Sequence, residues 1–385
     1  VSNWIKVKLG DIVELKRESY QPKPDEVLPY IGLEHIGQGT LRLISVGKSN
    51  EVTSTKSYFS KGDILFGKLR PYFRKVVRPK FNGVCSTDIL VLTSKNPRKF
   101  NQTFLFYLMA SQEMIDLATA SSSGTKMPRA DWKVLQNLEI SIPEDVNEQE
   151  RIGKILETID DKIDINIRMN KTLEEMAMTL YKHWFVDFGP FQDGEFVESE
   201  LGVIPNNWKI GQVKDLAKVL SGKRPKVKDI GEYPIFGGGG PMGVTNEYLY
   251  NEPIFITGRV GTIGKVFRVS KPCWPSDNSL VLIPLKAYYY SFLYAVLKNI
   301  DFSLITGGST QPLITQTSLK SIKVIIPPEE TIEQYNKQVL TYYSLIDKND
   351  NINKQLSEIR DYLLPRLLSG EIDVSKAEKQ VEEVL

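Results

Sequence analysis

The layout of "NWIKVKLGDI" at 3–12 returns at "NNWKIGQVKDL", 206–216: Trp4, Leu9, Asp11 and Ile12 answer to Trp208, Val213, Asp215 and Leu216. Three more matches follow in the same order. "LPYIG" (28–32) answers to "YPIFG" (233–237), and "DILFGKLRPYFRKVV" (63–77) to "EPIFITGRVGTIGKVF" (252–267). "STDILVL" (86–92) answers to "SDNSLVL" (276–282), and "SSSGTKMPRADWKVLQNLEISIP" (121–143) to "ITGGSTQPLITQTSLKSIKVIIP" (305–327). In the last match Gly124/Gly308, Pro128/Pro312 and Pro143/Pro327 keep one offset. An ordered internal repeat constrains a fold more than any single motif. The chain carries two versions of one domain, each with short strands and turn residues.

A long helical pattern follows each copy. Over 147–185, Ile152, Ile155, Ile159, Ile163, Met169, Leu173, Met176, Leu180 and Trp184 recur at mostly three- and four-residue steps, and Asn147 with Glu150 has capping-box spacing. Over 329–370 the stripe is Ile332, Tyr335, Val339, Tyr342, Ile346, Leu356, Ile359, Leu363 and Leu367, with Thr331 and Gln334 as the capping pair. Pro365 is expected to kink or end this helix, and Gly370 suits its C-terminal cap. Both stripes are narrow, which predicts that the helices bury them against each other, with Ile152, Ile159, Leu173, Leu180, Val339, Ile346, Leu356 and Leu363 as core; packing of each helix onto its own domain is the alternative. Asn166 and Asn353 fall in the seams, where a polar residue sets register. The expected order is a lobe at 1–146, a helix at 147–185, a linker at 186–200, a lobe at 201–328, a helix at 329–370 and a tail at 371–385.

The charge is uneven. Residues 1–146 hold 21 Lys+Arg against 15 Asp+Glu, and 201–330 hold 15 against 9, whereas the 186–200 linker has five acids and no base. Two basic lobes suit two contacts on one long polyanion. The densest cluster is Lys68, Arg70, Arg74, Lys75, Arg78 and Lys80, interleaved with Tyr72 and Phe73; Lys126 and Arg129 lie in a nearby Gly-Thr loop. The second copy offers Lys223, Arg224, Lys226 and Lys228, then Arg259, Lys265, Arg268 and Lys271. Such side chains neutralise phosphates, and arginine also reads guanine edges.

Little points to catalysis. "FGGGGPMG" (236–243) and "GRVGTIGKV" (258–266) lack the lysine-hydroxyl pair of a phosphate loop and read as turns. His35 and His183 have no evident partner, and Cys85 and Cys273 form no CxxC pair, so neither a zinc site nor a disulfide framework is expected. Asp160 and Asp161 read as solvated helix surface, and the Asn-Pro-Pro-aromatic motif of adenine methyltransferases is missing. No run is long and apolar enough to cross a membrane, and the N-terminus lacks a basic stretch followed by an apolar core. A reducing cytoplasm is the expected location. On the residues alone, an RNA-binding or purely structural scaffold with two basic lobes stays open.

"ELGVIPNNWKIGQVKDL" (200–216), "LLPRLLSGEI" (363–372) and "HWFVDFGPF" (183–191) resemble signatures of the specificity subunit of type I restriction-modification enzymes. The resemblance spans essentially the whole chain. It implies two mixed α/β target-recognition domains in a pseudo-twofold internal repeat, each reading half of a bipartite double-stranded DNA site, separated by a long antiparallel two-helix coiled coil. It also implies that the helices dock two adenine-N6 methyltransferase subunits, that S-adenosylmethionine is the cofactor of those partners and not of this chain, and that motor-nuclease subunits can join.

Overall fold

The computed structural model describes residues 3–122, 127–226, 230–307 and 313–383. They fall into two compact α/β units, Val1–Asn166 with Asp350–Leu385, and Ile167–Asn349.

In the first unit, Trp4–Lys8 pairs antiparallel with Glu139–Pro143, and the helical turn Leu9–Ile12 leads into a four-stranded sheet. Its order is Val13–Lys16, Ile89–Ser94, Ile64–Gly67, Val76–Val77. A five-stranded sheet beside it contains one parallel pair, Pro29–Ile31 with Gly83–Cys85. The second unit repeats this plan. Lys209–Gln212 pairs with Lys323–Ile326, and Val213–Leu216 is the helical turn. Ala217–Ser221, Ser279–Pro284, Ile254–Gly258 and Val266–Val269 form the four-stranded sheet, and Tyr233–Gly237 runs parallel to Trp274–Pro275. The repeat reaches single hydrogen bonds. Ser86 N–H donates to the Ile31 carbonyl at 2.9 Å, and Ser276 N–H to that of Phe236 at 2.8 Å. Gly124, Gly308 and Pro312, part of the repeat signature, lie outside the described residues.

The long helices are Val146–Phe185 and Glu329–Leu368. The first starts earlier than its expected capping box: Asp145 caps it, accepting from the Asn147 N–H at 3.0 Å. The second also starts earlier, with the Pro328 carbonyl accepting from Thr331 and Ile332 N–H. Pro365 does not end it. The helix runs to Leu368, and Gly370 follows at φ +73°.

Each unit contains half of both helices, and in each they run antiparallel. In the first, Asn166 Nδ2 donates to Asn353 Oδ1 at 2.8 Å; in the second, Asn349 Nδ2 donates to Asn170 Oδ1 at 2.8 Å. The seam follows a strict heptad alternation through Ile159, Ile163, Asn166, Asn170, Leu173, Ala177 and Leu180. Met169 and Met176, expected in the stripe, are instead exposed, because asparagine and alanine carry the seam there. Ile152, Ile159, Val339, Leu356 and Leu363 are buried, and Leu173, Leu180 and Ile346 are half-buried.

The stripes do not pack only on each other. Ile152, Ile155, Leu156 and Ile159 share one core with Phe104, Leu105 and Leu108 of their own lobe and with Leu356, Leu363 and Leu367. In the second unit, Ile332, Tyr335, Val339 and Tyr343 share a core with Phe292, Leu293 and Val296. Burying each such side chain stabilises by about 1.5–3 kcal/mol.

Two stretches read as linker and tail have structure of their own. The acidic segment after the first long helix forms the hairpin Phe196–Ser199 with Gly202–Pro205, and Phe188 and Phe191 pack edge-on against Trp208. Residues Val374–Glu382 form a helix whose Val374, Ala377 and Val381 join the first core; Glu378 accepts Arg151 at 2.7 Å.

Candidate nucleic-acid interface

The basic turn of the first lobe leaves the strand Ile64–Gly67. Lys68 N–H donates to the Asp88 carbonyl at 2.9 Å, Ala130 N–H to the Lys68 carbonyl at 2.9 Å, and Arg70 N–H to the Pro128 carbonyl at 2.8 Å. The last two of these bonds lay the end of the Gly-Thr loop alongside the turn, bringing together two features far apart in sequence. A single 3-10 turn, Pro71–Phe73, follows, flanked by Arg70 (φ +52°) and Arg74 (φ +48°), both left-handed. Left-handed backbone costs a non-glycine residue roughly 1–2 kcal/mol. Tyr72 is exposed at the tip, its ring edge-on to Phe73.

The structure sorts this cluster into two groups. Lys68 has no side-chain partner among the described residues, Arg70 has a buried Nε with no acceptor, and Arg129 touches Asp88 at 3.2 Å from an exposed position. Arg74, Lys75 and Arg78 turn inward, whereas Lys80 stays exposed in a surface ion pair. Arg74 Nε donates to the Ala110 carbonyl at 2.7 Å, and its Nη atoms lie 3.4 Å from Asp361. Lys75 Nζ donates to the Leu33 carbonyl at 2.5 Å, and burial lowers its pKa. Arg78 binds Glu157 and Thr103, and Lys80 binds Asp161 at 2.8 Å. Much of the positive charge that sequence alone assigns to a polyanion therefore meets the acids of the long helices. Lys126 lies outside the described residues.

Asp160, read as solvated surface, is the centre of a half-buried network. It accepts from Arg42 Nη2 at 2.6 Å, Arg360 Nη1 at 2.8 Å and the Tyr107 hydroxyl at 2.8 Å. Arg360, 1% exposed, also lies 3.1 Å from Asp361. Burial opposes its charge, but Asp160 and Asp361 outweigh that and raise its pKa. Burial, then the charge of Asp160, holds the Tyr107 hydroxyl far above its usual range, so it stays a donor. A charged residue in a heptad seam is invisible to an apolar pattern.

The second lobe rebuilds the same frame. Arg259 N–H donates to the Asn278 carbonyl at 3.0 Å, and Ile314 N–H to the Arg259 carbonyl at 2.9 Å, which makes Arg259 the counterpart of Lys68. Its Nε is buried without an acceptor. The first glycine run is a hairpin, with strands Tyr233–Gly237 and Gly240–Thr245 about a turn at Gly238 and Gly239; the second is a turn, and the two touch backbone to backbone. A Cβ on Gly258 would stand 2.0 Å from the Thr262 carbonyl oxygen, and one on Gly238 2.8 Å from the Gly258 Cα. Gly261 (φ +75°) and Gly264 (φ +87°) take the left-handed positions of this turn, where the first lobe has Arg70 and Arg74. Lys265, Lys223 and Arg224 are exposed, and the Lys223 carbonyl is pinned by Trp274 Nε1 at 2.8 Å. Arg268 turns inward, bidentate on Asp347 at 2.7 and 3.0 Å and 4.8 Å over the Tyr343 ring. Lys228 lies outside the described residues.

Other chemistry is sparse. No group of three or more His, Cys, Asp or Glu among the described residues could hold a metal ion. Burial pushes both thiols, Cys85 and Cys273, up to about 12, which keeps them unreactive. Among the described residues no helix is long and apolar enough to cross a membrane. What remains is two basic turns on matched frames, suited to phosphates and base edges.

Comparison with known proteins agrees. The family model for the type I restriction modification DNA specificity domain matches residues 1–175 and 205–360. The type I restriction enzyme HindI specificity subunit of Haemophilus influenzae is 26% identical, over 97% of this chain and 100% of that protein. The MjaIX specificity subunit of Methanocaldococcus jannaschii is 29% identical, over 74% of this chain and 76% of that protein. The S subunit of a type I restriction-modification system from M. genitalium has a similar fold, with TM-score 0.56 at 18% identity, over 95% of this chain and 96% of that one.

Proposed function

This chain belongs to the type I restriction-modification DNA specificity family, and on that premise we propose that each lobe reads one half of a bipartite double-stranded DNA site. The observation that carries this reading is the matched frame around Lys68 and Arg259: the same backbone bonds hold different side chains in the two lobes. A shared scaffold with divergent side chains suits two lobes that read different sequences. Lys68, Arg70 and Arg129 are the first lobe's contacts; Arg259, Lys265, Lys223 and Arg224 are the second's. The RNA-binding alternative finds no support among the relatives.

The chain recognises DNA and leaves chemistry to partners: two methyltransferase subunits, which would bring S-adenosylmethionine, and motor-nuclease subunits. The heptad-patterned helices are the docking elements for the methyltransferases. The purified chain alone should transfer no methyl group to DNA.

The test is a domain exchange. Residues 1–146 are replaced by the first domain of another family member, and methylated sites are mapped in cells that also express the methyltransferase partner. One half of the site should change and the other should stay. A change in both halves, or in neither, defeats the modular reading.

A further inference from the structure

We propose that Arg74 is a positioning residue for recognition of the first half-site, bolting the DNA-facing turn to the long helices instead of touching DNA. This rests on the half-site reading above. The first observation is backbone geometry. The second lobe meets the left-handed positions of its turn with Gly261 and Gly264, which adopt them freely, whereas the first lobe uses Arg70 and Arg74. An arginine where glycine would be easier points to work for its side chain.

The second observation is where that side chain goes. Arg74 is mostly buried, 15% exposed at the side chain. Its Nε takes the carbonyl of Ala110, the last residue of the helix Gln102–Ala110, where no intrahelical donor is available. Its Nη atoms reach Asp361 on the second long helix. Asp361 also binds Arg360, and Arg360 binds Asp160 on the first long helix. Asp160 holds Arg42, and the Gly39 N–H three residues before it donates to the Arg74 carbonyl at 3.4 Å. The turn bearing Lys68, Arg70 and Tyr72 is thus tied to both helices through one residue, and the tie ends on Asp361 and Asp160. The first lobe's discrimination then depends on helix residues that make no DNA contact.

Two variants separate positioning from contact. Arg74→Gly keeps the left-handed backbone accessible and removes the guanidinium. Asp361→Asn removes the charge of a half-exposed side chain and preserves its shape. Each is prepared in the full chain with its methyltransferase partner. Binding is measured on duplexes carrying the mapped site and on the same duplexes with base pairs changed in one half. Both variants should lose discrimination several-fold in the first half and keep it in the second, which serves as the folding control. The slope of log affinity against log salt should stay at the parent value, and the double variant should lose no more than either single. A slope lowered by about 0.9 in Arg74→Gly would mean a phosphate contact and overturn the proposal. So would full first-half discrimination in either variant, or additive losses in the double. If the parent complex does not discriminate by halves at all, the half-site reading fails first, and the outcomes stay distinct.

Discussion

Replacing Asp160 with alanine tests whether the network at the seam stabilises the first unit. The change removes acceptors from Arg42, Arg360 and Tyr107, at 2.6, 2.8 and 2.8 Å. Arg42 keeps Asp164 at 2.7 Å, so it loses little. Arg360 has a side chain 2% exposed, and would keep only Asp361, already shared with Arg74. Removing one partner of a buried ion pair costs about 3–5 kcal/mol. A buried tyrosine hydroxyl left without an acceptor costs about 1–3 kcal/mol by itself, but the two effects overlap because both relax into one space. Asp160→Ala should therefore destabilise the first unit by about 3–5 kcal/mol. Replacing the whole set by apolar groups, Asp160→Leu with Arg360→Leu and Tyr107→Phe, should return to within about 1–2 kcal/mol of the parent, since no buried charge is then stranded. The second unit shows that such a seam can do without the network. Counting outward from the asparagine pairs, Tyr343 and Ala177 stand where Asp160 and Arg360 stand in the first, both buried. Hydrogen exchange read by mass spectrometry along a urea series gives each unit's stability separately. The second unit's peptides should be unaffected. A loss below about 1 kcal/mol for Asp160→Ala, or a triple variant as unstable as the single, would refute the argument.

Three further outcomes are expected. Asn166→Leu alone should lower the thermal midpoint, because it strands Asn353, whereas leucine at both positions should raise it above the parent; calorimetry decides. Ile159→Ala, at a position with no exposed surface in the core shared by lobe and helices, should cost about 2–5 kcal/mol in urea unfolding. Seven residues added to both long helices at facing positions keep the heptad phase and lengthen each by about 10 Å. Methylation mapping should then show the same half-sites with a gap longer by up to roughly three base pairs, or weakened modification if the lobes cannot re-orient.

The repeat was legible because its landmarks are residues with backbone consequences. The strand-ending Gly67 and Gly258 keep their place because a Cβ at either would meet backbone, the Lys75 carbonyl oxygen at 3.1 Å and that of Thr262 at 2.0 Å. The helices were legible from apolar spacing, but only where apolar residues carry the seam. Asn166 was placed in the seam, but Asn170 and Ala177 continue the heptad without a large apolar side chain, so there the sequence reading slid to Met169 and Met176. The inward arginines were illegible for another reason. Arg74, Arg78 and Arg268 look like Lys68 and Arg259 in sequence, and what separates them is an acid far along the chain on a helix. Asp160 was misread likewise: burial of a carboxylate follows from its partners, and those partners are tertiary. The acidic segment 186–200 looked like a linker on charge, although its Phe188 and Phe191 already matched an aromatic surface around Trp208.

The division of the first unit into Val1–Asn166 and Asp350–Leu385 has a consequence during synthesis. Residues 167–349 are contiguous and can fold as soon as they emerge, but the earlier segment cannot complete its core until residues 350–385 arrive. At about 5–20 residues per second, that wait is on the order of ten to forty seconds. Throughout it, the side of Ile152, Leu156, Ile159 and Ile163 that meets Leu356, Leu363 and Leu367 has no cover. Within residues 1–385, the segment before residue 167 is thus the one whose core closes last, although it is made before the contiguous unit.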